Sequence, residues 1–166
     1  MDADYLIIRD VHHSDLDPVL VLNQSEVPHV GSVDAVRMRW YAENATYFRV
    51  AVASGDLAGY LVGFRPGTAY TSPNYRWFCE RYGDFAYVDR VAVSAAARRG
   101  GIATRLYADF AATMPPDVPI MTCEVNVQPP NASSMRFHRR LGFRQVGSLT
   151  SDDRTKSVAM MLRQLQ

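Results

Sequence analysis

The sequence predicts an α/β domain: a mixed sheet, antiparallel in its N-terminal part, flanked by helices. Three observations carry that expectation. Two β-rich runs, Tyr47 to Ala53 and Leu57 to Phe64, are joined by Ser54-Gly55-Asp56, a turn short enough for an antiparallel hairpin. Later β-rich runs alternate with helical patterns, as when strands are connected through helices packed on the sheet. The 166 residues suit one compact domain, 1–166, because a second core would leave too little chain for either. The hairpin argues against a purely doubly wound parallel sheet.

Each element follows from its local pattern. Tyr5 to Ile8 is a short β-rich run, and Ser14-Asp15 ahead of Leu16, Val19, Leu20 and Val21 marks a capped helix start. A second helix is expected from the cap Ser32-Val33-Asp34, with Val33, Val36, Trp40 and Tyr41 at helical spacing. After the hairpin, Pro66 to Pro73 is a turn-rich loop, and Tyr75 to Tyr82 is an aromatic stretch with the pattern of a short helix ending at Gly83. Phe85 to Val93 is a strand. Arg98 to Met114 follows as a helix with Ile102, Leu106 and Phe110 on one face, stopped by Pro115-Pro116. Val118 to Val127 is a strand, Asn131 to Leu141 a helix closed by Gly142, and Phe143 to Leu149 with Lys156 to Leu162 a last hairpin.

Composition narrows the function classes. Hydrophobic residues make up 48% and charged residues 21% of the chain, enough for a substantial core. A formal net charge of +1 lacks the broad field of a protein whose main partner is a nucleic acid or an anionic membrane, so any anion must be caught locally. Cys79 and Cys123 form no close pair and suit a reducing cytoplasm. Met-Asp-Ala-Asp is acidic where a signal peptide would be basic, and the apolar stretches are too short to span a bilayer. A cytoplasmic protein without membrane or nucleic-acid partners is expected.

Local anion capture is offered by Val91 to Thr104, where a β-rich run meets Gly100-Gly101 at a helix start. The first N–H groups of a helix have no internal partner and lie at the positive end of its dipole, so a diphosphate satisfies them. Glycine at 100 and 101 lets backbone approach the phosphates, Ala103 is small for the same reason, and Arg98 and Arg99 can add charged hydrogen bonds. Neither G-x-x-x-x-G-K-[ST] nor G-x-G-x-x-G after the first strand is present, which removes nucleotide hydrolysis and hydride transfer.

Arg98-Arg99-Gly100-Gly101-Ile102-Ala103 resembles the R/Q-x-x-G-x-G/A signature of the GNAT superfamily of acyl-CoA-dependent N-acyltransferases. Downstream, Asn131 to Phe143, read as N-x-x-S-x-x-F-H-x-x-L-G-F, is similar to that family's second cofactor motif. The resemblance implies a GNAT-like sheet whose fourth and fifth strands are parallel and splayed apart, with acetyl-CoA as acyl donor and coenzyme A as product. It further implies that the pantetheine arm lies along Val91, Ala92 and Val93, pairing with backbone groups of Val91 and Val93 as an added strand would. The backbone from Arg99 through Ile102 and Ala103 to Thr104 would hold the diphosphate. In the second motif, which includes Ser134, Asn131 would bond the pantetheine arm or the acyl region.

Acetyl transfer to an amine needs a deprotonated amine, a stabilised oxyanion and a proton for the leaving thiolate. On the strand Val118 to Val127, alternation places Met121, Cys123, Val125 and Val127 on one face and Thr122, Glu124 and Asn126 on the other. Glu124 is then a general base lining a cleft, directly or through water, or a solvated glutamate on an edge strand. Similar ribosomal-protein alanine acetyltransferases carry Leu-Glu-Val there. His138 stands where the resemblance implies tyrosine; it is either the general acid or a packing histidine, with water or a nearby tyrosine supplying the proton. Asp89, two residues before Val91, is the alternative carboxylate, and a backbone N–H near Val91 is the analogous oxyanion donor.

The acceptor, a small-molecule or peptide amine, is expected to meet Asn23, Gln24, Glu26, His29 and Trp40, with Asp89 and Asn126 as further contacts. No metal-ligand spacing is present. The expected activity is N-acetylation of a primary amine by direct transfer in a ternary complex. The rivals are a non-catalytic acyl-CoA-binding module and a protein N-terminal or lysine acetyltransferase. Oligomeric state stays open, a homodimer included.

Overall fold

The computed structural model describes residues 5–166. The chain runs β1 (Leu6–Asp10), α1 (Leu16–Ser25), α2 (Ala35–Asn44), β2 (Tyr47–Ala53), β3 (Asp56–Phe64), α3 (Pro73–Cys79), β4 (Ala86–Val93), α4 (Ile102–Thr113), β5 (Ile120–Gln128), α5 (Ala132–Arg140), β6 (Arg144–Thr150) and β7 (Ser157–Gln164). The strands form one sheet in the order β1-β2-β3-β4-β5-β7-β6. It is a mixed sheet, and β4 with β5 is its parallel pair. Backbone contacts group the chain into two compact units, residues up to Phe64 with Arg90–Thr113, and Arg65–Asp89 with Met114–Gln166.

The first unit grows from the hairpin. Ser54 and Gly55 both take positive φ, 51° and 88°, the conformation that lets a two-residue turn match strand twist, and β2 pairs β3 antiparallel from Tyr47↔Gly63 to Ala53↔Asp56. β1 pairs β2 from Leu6↔Ala53 to Asp10↔Arg49, so the first strand runs two residues beyond the expected end at Ile8. At its end Arg9 forms a bidentate pair with Asp15, the carboxylate expected to cap α1, which instead accepts the His12 N–H. Helix α1 buries Leu16, Val19 and Leu22.

Asp34 caps α2 as expected, its Oδ1 accepting the Arg37 N–H at 2.8 Å. The buried face differs from the expected one: Met38 and Tyr41 are buried, whereas Val36 is 65% exposed. Packing against the strands selected the Met38 and Tyr41 stripe, one turn apart, over the smaller valines. Gly59 marks a close approach in this unit. A Cβ there would lie 2.9 Å from the Ala92 carbonyl, and Ser94 N–H already bonds Ala58 O at 2.8 Å.

The second unit holds β7 between β5 and β6, antiparallel to both. The parallel ladder of β4 with β5 contains only Ala86↔Met121 and Tyr87↔Thr122, so pairing stops after two positions. Helix α3 begins earlier than expected, at Pro73, because Ser72 accepts the Tyr75 N–H and proline suits a first helical turn. Its Tyr75 and Phe78 pack with Phe85 and Tyr87 as a buried aromatic cluster.

Candidate active site

The glycine turn is less helical than its alanines suggest. Ala95–Ala97 is a single 3-10 turn, Arg98 is extended, and Arg99 and Gly101 take positive φ of 70° and 71°, so helical geometry begins only at Ile102. The expected helix start at Arg98 is therefore corrected by four residues, because left-handed backbone interrupts a right-handed helix. None of the N–H groups of Arg99, Gly101, Ile102, Ala103 and Thr104 has a hydrogen-bond partner among the described residues. Ile102 anchors the turn by burying its side chain while Gly100, Gly101 and Thr104 stay exposed. A row of unsatisfied donors at a helix start fits an anionic diphosphate.

The two arginines differ. Arg99 is exposed, while the Arg98 guanidinium bonds the Glu26 carboxylate, so both residues expected to meet ligands are engaged with one another. On β4, Ala92 is buried and Val91 and Val93 are half-buried.

In the second unit Glu124 is half-buried and accepts the Tyr87 hydroxyl at 2.8 Å. Tyr87 is wholly buried, and burial first, then the Glu124 charge, pushes its hydroxyl well above the usual phenol value. Asp89, two residues along the same face of β4, accepts the Tyr70 hydroxyl at 2.7 Å. Thr122 is wholly buried, and its Oγ1 has no hydrogen-bond partner among the described residues. Asn126 is also buried. The predicted apolar face holds through Val125 but fails at Val127, which is 42% exposed where the register with β7 shifts between Asn126 and Gln128.

Asn131 caps α5, its Oδ1 accepting the Ser134 N–H at 3.2 Å, which leaves its Nδ2 without a partner among the described residues. One turn on, His138 is 4% exposed, edge-on to Phe137 and Phe143. Its Nδ1 lies 2.7 Å from the Ser134 carbonyl oxygen and 3.2 Å from Ser134 Oγ. A carbonyl can only accept, so Nδ1 carries the proton. Burial lowers the His138 pKa, partly offset by that bond. A neutral ring protonated at Nδ1 has no proton at Nε2 to give, which argues for the packing alternative over the general acid.

Asn23 has a structural place rather than an exposed one. It is wholly buried: Oδ1 accepts the Tyr60 hydroxyl at 2.5 Å and Arg90 Nη1 at 2.9 Å, while Nδ2 donates to Gly31 O at 3.1 Å and Gln24 Oε1 at 2.9 Å. Gln24 also donates to Ser32 and accepts the Val33 N–H, so the pair fixes the loop between α1 and α2. Trp40 is half-buried against Phe64, with Arg37 over its ring. The tyrosines at 70 and 87 were missed from sequence. Only the spacing of Tyr87, Asp89 and Val91 on one strand face could have drawn attention to Tyr87, and nothing local ties Tyr70 to Asp89.

Among the described residues, no three histidine, cysteine, aspartate or glutamate side chains group to hold a metal, and no helix is long and apolar enough to cross a membrane. A family model described as the acetyltransferase (GNAT) family matches residues 16–143. No curated protein sequence matches significantly. Ard1 from Thermoplasma volcanium is similar in structure, with a TM-score of 0.78 and 19% identity over 97% of this chain and 98% of that one. Arabidopsis thaliana NAA60, solved with a bisubstrate analogue, has a TM-score of 0.74 and 18% identity, covering 96% of this chain and 98% of its own. The ribosomal-protein-alanine N-acetyltransferase of Brucella melitensis gives 0.68 and 23%, covering 95% and 99%. At these identities the likeness establishes the shared fold.

Proposed function

Because the chain belongs to the GNAT family of acetyltransferases, we propose that it transfers acetyl from acetyl-CoA directly to a primary amine of a small molecule or peptide. The observation that carries the proposal is the set of N–H groups of Arg99 and of Gly101 to Thr104, unpartnered among the described residues, at a left-handed turn. In this reading those donors and the Arg99 side chain hold the diphosphate, and the backbone of Val91, Ala92 and Val93 receives the pantetheine amides. Asn131 donates from Nδ2 to the same arm, and Ser134 keeps its place in the motif by fixing Asn131 and His138. Arg98 joins the diphosphate contacts only by leaving Glu26.

Glu124 acts as general base, held by the Tyr87 hydroxyl and taking an amine proton directly or through water. The nitrogen attacks the thioester carbon, a backbone N–H near Val91 stabilises the oxyanion, the C–N bond forms and the C–S bond breaks. The proton taken by Glu124 returns to the departing thiolate. His138 packs α5 and donates no proton in this scheme. Cys123, buried with its thiol pushed well above the ordinary value by burial and the Glu124 charge, forms no acyl intermediate, so transfer is direct.

A protein N-terminus is a second acceptor reading, favoured by the ribosomal-protein-alanine N-acetyltransferase among the similar structures. The cytoplasm is the compartment proposed, since acetyl-CoA is the donor and the two cysteines are far apart in sequence. Calorimetry with acetyl-CoA, paired with thiol release across small amines and peptides, tests the whole scheme. Retained acetyl-CoA with no thiol release above solvent hydrolysis makes the chain a binding module; absent binding at millimolar ligand removes the cofactor assignment.

A further inference from the structure

Arg98, a candidate for the diphosphate, already has a partner. Glu26 ends α1 and begins the loop to α2, and its carboxylate accepts from the Arg98 guanidinium across 72 positions of sequence. The two sides of the pair are unequal. Only 19% of the Glu26 side chain is exposed, against 54% of Arg98, and among the described residues no other cation meets that carboxylate. A largely enclosed carboxylate that loses its cation is costly, so Arg98 cannot change partners without consequence for the loop.

The same stretch of chain holds the loop at a second point. Arg90 Nη1 donates to Gly31 O at 3.0 Å and to Asn23 Oδ1 at 2.9 Å, and the guanidinium lies over the Tyr41 ring. Between the two holds, the Glu26 carbonyl accepts the His29 and Val30 N–H groups at 2.8 and 3.2 Å, closing a turn on which Val27, Pro28 and His29 are exposed. The Arg90 hold has several partners and is the firmer. Arg98 has an exposed guanidinium and directly precedes Arg99 and the glycine turn, so it is the hold that an anion at that turn can draw away.

Resting on the cofactor reading, we infer that Glu26 is a positioning residue that sets the affinity for acetyl-CoA by competing with the diphosphate for Arg98. When the diphosphate takes Arg98, Glu26 is left without its cation and turns toward water, and residues 26–30 loosen while Arg90 keeps Gly31 in place. No covalent bond changes; one ion pair replaces another. By reciprocity, whatever keeps the turn closed weakens the cofactor.

Calorimetry with acetyl-CoA on wild type, Glu26→Gln, Arg98→Gln and the double variant tests the competition. Glu26→Gln keeps the size of the side chain and removes the charge that retains Arg98, so it should tighten acetyl-CoA by about two- to fivefold, the range of one ion pair. In the Arg98→Gln background the same change should do nothing, because no guanidinium is left to compete for. Plain repulsion between Glu26 and the diphosphate would persist in that background, so the double variant separates the two causes. Glu26→Asp, which keeps the charge but shortens its reach, should also tighten binding, a gain that repulsion does not give. Amide exchange over residues 26–30 should quicken when coenzyme A saturates the wild type. Equal affinity in wild type and both Glu26 variants, an undiminished Glu26→Gln effect in Arg98→Gln, or exchange that coenzyme A leaves unchanged overturns the inference while acetyl-CoA binding stands. Acetyl-CoA binding absent from the wild type and every variant removes the cofactor reading, and the competition with it.

Discussion

Glu124 and His138 sit in different surroundings within one unit. The glutamate is half-buried and accepts the Tyr87 hydroxyl at 2.8 Å. Glu124→Gln keeps the size of the side chain and removes the base, and kcat should fall by about 10²-fold or more, the usual contribution of a positioned base, with calorimetric affinity for acetyl-CoA little changed. The histidine is enclosed by Phe137 and Phe143 and held neutral by burial. Its folded pKa lies below that of the unfolded chain, so on acidification the unfolded state takes up the proton first. Stability should therefore decline as pH drops below about 6.5, the ordinary histidine value, and stop declining from this source below the folded pKa. Urea unfolding from pH 7.5 to 5 should show that decline in the wild type and a shallower one in His138→Phe.

At the scale of elements, glycines decide where two segments can meet. Gly147 on β6 faces the Trp77 indole of α3 so closely that an added Cβ would lie 2.4 Å from the ring. Gly147→Ala should destabilise the protein by roughly 1–3 kcal/mol, as overpacking does, and alter tryptophan fluorescence because the indole must move. A urea midpoint and emission maximum equal to wild type would contradict this contact. The sequence alone made β6 a plausible strand and Trp77 part of an aromatic stretch, yet their meeting depends on packing between elements far apart in the chain. The same limit applied to Tyr70 and Asp89, and to Asn23, whose polar side chain suggested a ligand contact before its four bonds to Tyr60, Arg90, Gly31 and Gln24 were visible. Conversely, the hairpin at Ser54-Gly55 and the caps at Asp34 and Asn131 were readable because their causes lie within a few residues.

For the whole molecule, a net charge of +1 means that an anionic ligand is held by local donors rather than a broad field. Ligand binding to the native state alone should then raise its stability by about 2.7 kcal/mol at a hundredfold excess over Kd, or roughly 5–11 °C in Tm for a chain of this size. Differential scanning calorimetry with acetyl-CoA checks it; an unmoved transition would deny the native fold a ligand. By itself, the sequence determined the order of strands and helices, the antiparallel N-terminal hairpin, the glycine turn ahead of α4 and the carboxylate at Glu124, since alternation, turn chemistry and capping act over short stretches of chain. Only the tertiary structure decided that Arg98 meets Glu26, that His138 is enclosed and protonated at Nδ1, and that Tyr87 and Tyr70 serve the two carboxylates. Those outcomes depend on burial and on partners distant in sequence, which set hydrogen bonds and protonation in ways that no local pattern encodes.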